Sequence, residues 1–295
     1  MNLEFKVIEN KYKTVKEVLR DYFNISERLL TKLKKSDRIL LNGMITHVNK
    51  ELKINDFLSV NLDFNEESEN IVATKMDLDI VFEDEALLII NKKPNIPVHP
   101  SILHFEDSLS NGVKYYYNSI GLNRKLRPVN RLDKDTSGIV IFAKNEYIQE
   151  SLIRQMKQNI FKKEYLAILE GHLENHSGTI NAPIARKENS IIEREINPTG
   201  DISITHYTVL KEHTTSSNQN LSLVNFLLET GRTHQIRVHS KHIGHPILGD
   251  SLYGNKSDII SRQALHAYKV SFIHPITKEL IVLKCDLPND MNIIK

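Results

Sequence analysis

Asp133 lies between Arg131 and Lys134, and Asp135, Thr136 and Ser137 follow it directly or nearly so. A carboxylate held in a turn among cations suits work as a nucleophile or general base on an anionic substrate. Two plainer readings stand beside this one. A turn aspartate commonly accepts backbone N–H groups, here those of Thr136 or Ser137. Alternatively, Asp133 and Asp135 form the acid pair of a glycosidase-like hydrolase, although Arg131 and Lys134 favour an anionic substrate over a neutral sugar. A second reactive stretch spans residues 229–242, where His234, Arg237 and Lys241 recur at spacings of three and four on one helix face. Such a cationic face at a strand-to-helix junction suits phosphate groups or a buried carboxylate. His239, His242 and His245 are spread around that helix, so no metal site is expected.

These residues need a frame. Residues 139–143 form a continuous apolar run bounded by Gly138 and Lys144, which predicts a buried strand soon after Asp133. Upstream, Pro128 keeps residues 126–129 extended. The carboxylate therefore sits on a polar turn between two core elements, where a rigid scaffold can present it. Thr233 is the expected N-cap of the cationic helix, and Gly231 ends the strand before it. Residues 162–170 predict another strand, with Tyr165, Ala167 and Leu169 on its core-facing side. Further strands are expected at 80–82, 87–91, 202–210 and 221–228, helices at 108–117 and 146–158, and a last hairpin around His274-Pro275. Pro94, Pro97 and Pro100 make residues 92–100 a rigid irregular loop. Strands and helices mix without a strict βαβ repeat, so the expected class is α+β with a mixed, largely antiparallel sheet.

Residues 11–38 are locally basic. Thr14 and Ser26 are candidate N-caps of two amphipathic helices, one carrying Val15, Val18, Leu19 and Tyr22 on its apolar face, the other Leu29, Leu30 and Leu33. Strands at 39–41 and 57–60, with an Asn42-Gly43 turn, complete a small α/β module. The sign of charge then reverses, and Glu66, Glu67, Glu69 and Asp77 belong to a polar run read as a flexible linker. The expected division is a module over 1–62, an acidic linker over 63–77 and a large domain over 78–295. A net charge of only +2 confines any nucleic-acid surface to local patches. Cys285, the single cysteine, lies in an apolar run; it excludes an internal disulfide and a cysteine zinc site and points to a reducing, cytoplasmic setting. No apolar run approaches membrane-spanning length, so no membrane partner is expected. Neither a P-loop nor a dinucleotide-binding glycine pattern occurs, and no cofactor is expected.

Several motifs follow one another in a recognisable order: Lys93-Pro94 with Val98-His99-Pro100, Arg131-Leu132-Asp133 with Thr136-Ser137-Gly138, and Lys163 with Tyr165 and Ala167. Next come Gly231-Arg232-Thr233-His234-Gln235-Ile236-Arg237-Val238-His239, Gly249-Asp250 with Tyr253-Gly254, and Gln263-Ala264-Leu265-His266-Ala267. The set resembles the RluA-type pseudouridine synthase family over nearly all of residues 78–288. By pattern, the first module resembles the S4-type RNA-binding domain, a common accessory there.

The resemblance implies an enzyme that isomerises uridine to pseudouridine in structured RNA, with ribosomal large-subunit RNA favoured over transfer RNA. It implies that Asp133 acts at the ribose, as nucleophile or as base, and that Arg237 keeps that carboxylate ionised. Tyr165 would stack on the flipped uracil and help take its C5 proton, while Arg131 would fill the gap left by the base and touch phosphate. Asn130, Arg232, His234 and Lys241 are further expected RNA contacts, as are Lys32, Lys34 and Lys35 of the module. The family usually carries His directly before the Arg-Leu-Asp triplet; Asn130 stands there instead, a departure that bears on substrate contacts more than on isomerisation. Asn95 stands where Gly is common, and Asn tolerates a positive φ. The competing class is a silent RNA-binding or ribosome-assembly protein that keeps the fold; retention of Asp133, Tyr165 and Arg237 argues against it.

Overall fold

Thr14 and Ser26 start the two N-terminal helices in the computed structural model, which describes residues 1–68 and 70–294. Glu69 of the expected linker and Lys295 of the expected large domain lie outside the described residues. Thr14 Oγ1 accepts the Glu17 N–H at 3.4 Å, and Ser26 Oγ accepts that of Leu29 at 3.3 Å. Each satisfies a donor that the first helical turn leaves unpaired. Helix α1 (Val15–Glu17) continues through a wider π-type turn over Val18–Tyr22, and α2 is Glu27–Lys35. The wider turn shifts the helix phase, so Tyr22, expected on the apolar face, is exposed and lies against Phe5.

Both helices accompany an antiparallel sheet of β1 (Asn2–Lys6), β2 (Ile39–Leu41), β3 (Met44–Ile45) and β4 (Phe57–Asn61), in the order β1-β4-β2-β3. Asn42 and Gly43 take φ of 53° and 81°, the paired positive values that a two-residue hairpin turn needs. Strand β1 is additional to the expected elements. Its Leu3 and Phe5 alternate with Asn2, Glu4 and Lys6, the period-two signal of a half-buried strand.

The acidic run that follows is fastened rather than flexible. Glu66 pairs with Lys32 of α2 and, at 2.7 Å, with Arg127; Arg124 donates to Asp63 and to Phe64 O. Low hydrophobicity predicted a loose tether, but Asp63 and Glu66 meet cations placed on both sides of the run.

The large domain comprises β5 (Ile80–Glu83), β6 (Leu87–Lys92), α3 (Leu109–Ser119), β7 (Ser137–Ala143), α4 (Glu146–Lys157), β8 (Lys162–Glu170) and β9 (Ser177–Asn181). A short ribbon of β10 (Ile184–Arg186) and β11 (Arg194–Ile196) precedes β12 (Ile204–Thr214), β13 (Asn220–Leu228), α5 (Gln235–His242), β14 (Leu265–Ile273) and β15 (Leu280–Lys284). Nine strands form one sheet in the order β5-β6-β7-β14-β8-β13-β12-β9, with β15 also on β14. Only β14 and β7 run parallel, at His266–Ser137 and Ala267–Gly138, so the mixed, largely antiparallel α+β expectation holds. Residues 172–200 carried no strand expectation; β9 to β11 there are short and interrupted by polar turns.

Every residue of β7 is buried, and alternate residues serve opposite faces. Ile139, Ile141 and Ala143 join a core shared with α4 and the N-terminal module, whereas Val140 and Phe142 join a second core with α3, β8 and β13. A strand covered on both sides reads as an unbroken apolar run, which is why it was visible in the sequence. Residues 127–129 are extended and bonded to β7, through Val129 N to Ile141 O at 2.7 Å and Ala143 N to Arg127 O at 2.8 Å. They do not continue as a regular strand, since Pro128 has no N–H to give. Gly138 has a φ of +111°, and a Cβ there would sit 2.3 Å from Ala267 O, so only glycine permits the close crossing of β7 and β14. Among the described residues, no helix is long and apolar enough to cross a membrane.

Candidate active site

Two loops and one helix converge on Asp133. The first loop leaves β6 with Lys92, whose buried ammonium donates to Lys93 O, Ile96 O and Lys134 O at 3.0, 2.8 and 2.8 Å. That single side chain ties the proline-rich loop to the loop carrying Asp133. Burial pushes its pKa down to about 7 against the pull of Asp135 and Asp133. Asn95, at a φ of 65°, lies on the same loop in the conformation its side chain tolerates. From the other side, Arg262 Nη1 donates to Asp135 O at 3.1 Å, and Thr136 N–H closes the turn on the backbone oxygen of Asp133 at 3.1 Å. The side chain of Asp133 is thereby left free of the turn, contrary to the plain turn-aspartate reading.

Helix α5 supplies its partner. Arg237 Nη1 donates to Asp133 Oδ2 at 3.0 Å, while Nε and Nη2 donate to Asp250 Oδ2 and Oδ1 at 2.7 and 2.8 Å. Burial opposes the Arg237 cation, but Asp250 and Asp133 outweigh it and hold its pKa above the ordinary value. Asp133 is the accessible end of this network, with 29% of its side chain exposed against none for Asp250.

The helix starts differently from expectation. His234, not Thr233, occupies the N-cap, in the left-handed region at a φ of 58° and without a side-chain cap bond. Gln235 organises the turn instead: its Oε1 accepts from Arg232 N and Thr230 Oγ1, both at 2.9 Å. That left-handed residue swings the His234 ring toward the site, with Nε2 3.7 Å from Asp133 Oδ2 and Nδ1 2.8 Å from the Tyr253 hydroxyl. Burial, with Arg237 and Arg194 nearby, lowers the His234 pKa despite Asp133.

Above Asp133 opens a cavity of about 530 Å³ whose walls include Arg131, His99, Lys163, Tyr165, Arg232 and His234. Tyr165 on β8 belongs to the second core, and burial first, then Asp133, raises its pKa, so the phenol keeps its proton. Arg131 is exposed at the mouth.

The remaining expected contacts divide. Asn130 spends its amide on the backbone of β7, with Nδ2 donating to Ile139 O and Oδ1 accepting from Ile141 N, both at 2.9 Å. An amide can complete a strand edge in this way with a donor and an acceptor, so Asn130 holds the loop to β7 while still lining the cavity. Lys241 is exposed beside the Tyr253 ring at 6.0 Å, one helical turn past Arg237. Lys32 is engaged by Glu66, whereas Lys34 and Lys35 are exposed on the module. His239 is buried against Thr205 Oγ1 and Ala182 O. Cys285 is packed, and burial raises its thiol to about 12. Lys92 escaped the sequence reading; its only signal was a lysine at the end of an apolar strand beside a proline-rich loop.

Residues 86–242 match the family described as RNA pseudouridylate synthase, which places Asp133, Tyr165 and Arg237 inside the matched region. The chain belongs to this family. It is 41% identical to an uncharacterized RNA pseudouridine synthase of Bacillus subtilis, YjbO, over 95% of this chain and 97% of that one. Ribosomal large subunit pseudouridine synthase D of Haemophilus influenzae is 33% identical over 86% of this chain and 81% of its own. Among solved structures, human RNA pseudouridylate synthase domain containing 1 superposes with a TM-score of 0.59 at 28% identity, over 71% of this chain and 83% of that one. As an RNA pseudouridine synthase, the enzyme is an isomerase and its partner is RNA. That activity fits a cavity with one accessible carboxylate and a cationic wall.

Proposed function

We propose that this synthase modifies uridine in large-subunit ribosomal RNA, and that Asp133, Arg237 and Tyr165 carry the reaction. The observation behind the residue roles is the ion pair by which Arg237 holds Asp133, a carboxylate that lines the cavity together with Tyr165. Isomerisation breaks the bond between ribose C1′ and uracil N1, turns the trapped base, joins C5 to C1′ and removes the C5 proton. Asp133, kept ionised by Arg237, acts at the ribose as nucleophile on C1′ or as base at the 2′ position. Tyr165 stacks on the flipped uracil. Because its phenol stays protonated, it takes the C5 proton only while passing its own to solvent water entering the open cavity. Arg131, at the mouth, occupies the gap left in the RNA and contacts phosphate.

The substrate assignment rests on relatives named for the large ribosomal subunit, from Haemophilus influenzae and, at 37% identity, Blochmanniella floridana. Residues 1–62 serve as an S4-like RNA-binding module, joined by 63–77 to the catalytic domain of 78–295, with Lys34 and Lys35 available to the RNA. The setting is cytoplasmic.

Deleting the gene and mapping pseudouridine across total RNA, with rescue by wild type and by Asp133→Asn, tests this reading. Loss at particular large-subunit positions, restored by wild type alone, is the expected result. Loss confined to transfer RNA overturns the substrate, and rescue by Asp133→Asn overturns the role of the carboxylate.

A further inference from the structure

The ribbon of β10 and β11 pairs Arg186 directly with Arg194. Residues so opposed project to the same face, and like charges in that relation repel. Strand alternation turns their neighbours, Lys187, Glu193 and Glu195, to the opposite face, where Lys187 and Glu193 form an ion pair. The ribbon therefore sorts its charge, with arginines on one side and acids on the other.

The arginine side lines an open groove of about 470 Å³, together with Arg232, Thr199, Gly200 and Asp201. Asp201 is the lone carboxylate among those lining residues, 3.6 Å from Arg232 and largely exposed. Arg194 Nη1 donates only to the backbone oxygens of Ile192 and Glu193, at 3.2 and 3.0 Å, and Arg186 has no side-chain partner among the described residues. Cations opposed in this way, without a resident counter-ion between them, are suited to an incoming anion.

The groove is fixed relative to the reaction site. Gly231, Arg232 and Thr233 line both the groove and the cavity over Asp133. Arg194 N–H donates to the Tyr253 hydroxyl at 2.7 Å, the same hydroxyl that bonds His234. Ile184 and Ile196 pack with Val238 of α5 and with Tyr253. The helix that aims Arg237 at Asp133 is thus also the base on which the ribbon rests.

We propose that this groove holds the phosphodiester backbone of the substrate strand on one side of the flipped uridine, with Arg186, Arg194 and Arg232 as phosphate partners. The inference rests on the cavity being the uridine site. Extrusion of a base bends its backbone outward, and a rigid cationic track beside the cavity stabilises that path without reading sequence.

The test uses the full chain and 5-tritiated total RNA from cells lacking the gene, with tritium release for turnover and filter binding for affinity. Arg186→Gln/Arg194→Gln should raise KM and Kd about tenfold or more, with saturated turnover unchanged. The slope of log affinity against log salt should become shallower by about 0.7–0.9 for each phosphate that the variant no longer neutralises. Lys187→Gln, on the opposite face, should leave all three as in wild type. Unchanged KM and salt slope, with an active wild type, overturn the groove alone. A fall in saturated turnover with an unchanged slope makes the arginines structural and likewise overturns it. A wild type that releases no tritium overturns the reading of the cavity, and the groove with it.

Discussion

Arg237 and Asp250 meet in a two-bond fork, Nε to Oδ2 at 2.7 Å and Nη2 to Oδ1 at 2.8 Å, and the fork points the third donor, Nη1, at Asp133. Asp250 is wholly buried, and its Oδ1 also accepts the N–H groups of Leu252 and Tyr253, both at 3.1 Å. The accessible carboxylate is therefore oriented by an inaccessible one. Orientation of this kind is set before substrate arrives and costs no rearrangement during reaction.

Arg237→Met should destabilise the fold by about 3–5 kcal/mol, because it leaves the buried Asp250 charge unpaired. The double variant Arg237→Met/Asp250→Asn should recover part of that loss, since no uncompensated charge remains, while isomerisation stays absent. Urea unfolding of wild type, single and double variants measures it. A double variant less stable than Arg237→Met would contradict the charge argument.

Tyr165→Phe separates stacking from proton transfer. RNA affinity should stay within about twofold, and turnover should fall by about 10²–10⁴-fold, the range for losing a proton-transfer group. Single-turnover rates on RNA deuterated at uridine C5 should show a larger isotope effect than in wild type. Wild-type turnover in the Phe variant would assign Tyr165 to stacking alone.

Lys92→Met leaves three backbone oxygens without their donor and should cost about 2–4 kcal/mol. It should also lower turnover, because the loop holding Asp133 loses its tie to Ile96 and Lys93. Thermal melting and tritium release on the same preparation check both effects. Full turnover at reduced stability would show that the tie is dispensable for placing Asp133.

His266 gives a pH dependence with a definite sign. Its ring is buried, bonded to Ser137 Oγ at 3.0 Å and Cys285 O at 3.2 Å, and burial lowers its pKa from 6.5 to about 4. The unfolded chain then binds the proton more readily, so the stabilisation is full above about 6.5 and is lost as pH falls toward 4. At about 1.4 kcal/mol per unit this is on the order of 3 kcal/mol. Urea unfolding at pH 7.5, 5.5 and 4.5 should show a smaller decline for His266→Gln than for wild type. Equal declines would place the acid sensitivity elsewhere.

The parts of this site that could be read from sequence are those whose local chemistry is distinctive. Asp133 stood out because a charged turn abuts an apolar run, and β7 stood out because both of its faces are covered. The partnership of Asp133 with Arg237 spans 104 positions and came only through motif resemblance. His234 shows a different obstacle: a left-handed residue at a helix start has no strong signal when it is not Gly or Asn, so Thr233 looked the better cap. The backbone bonds of Asn130 were hidden for a third reason, since the edge of β7 that takes its amide exists only after folding. The acidic run was misjudged similarly, because its polarity says nothing of the cations waiting for it.

Ile139 and Ile141 of β7 share a core with Leu3, Leu30 and Val60 of the N-terminal module. A module grown into the back of the sheet in this way is part of the same cooperative unit, and heat or denaturant should melt both in one transition rather than two. Removing it would strip cover from the very strand that leads out of the Asp133 loop. Substitutions on the inward face of the module are therefore felt at β7 and the Asp133 loop, whereas those on its outward face are not.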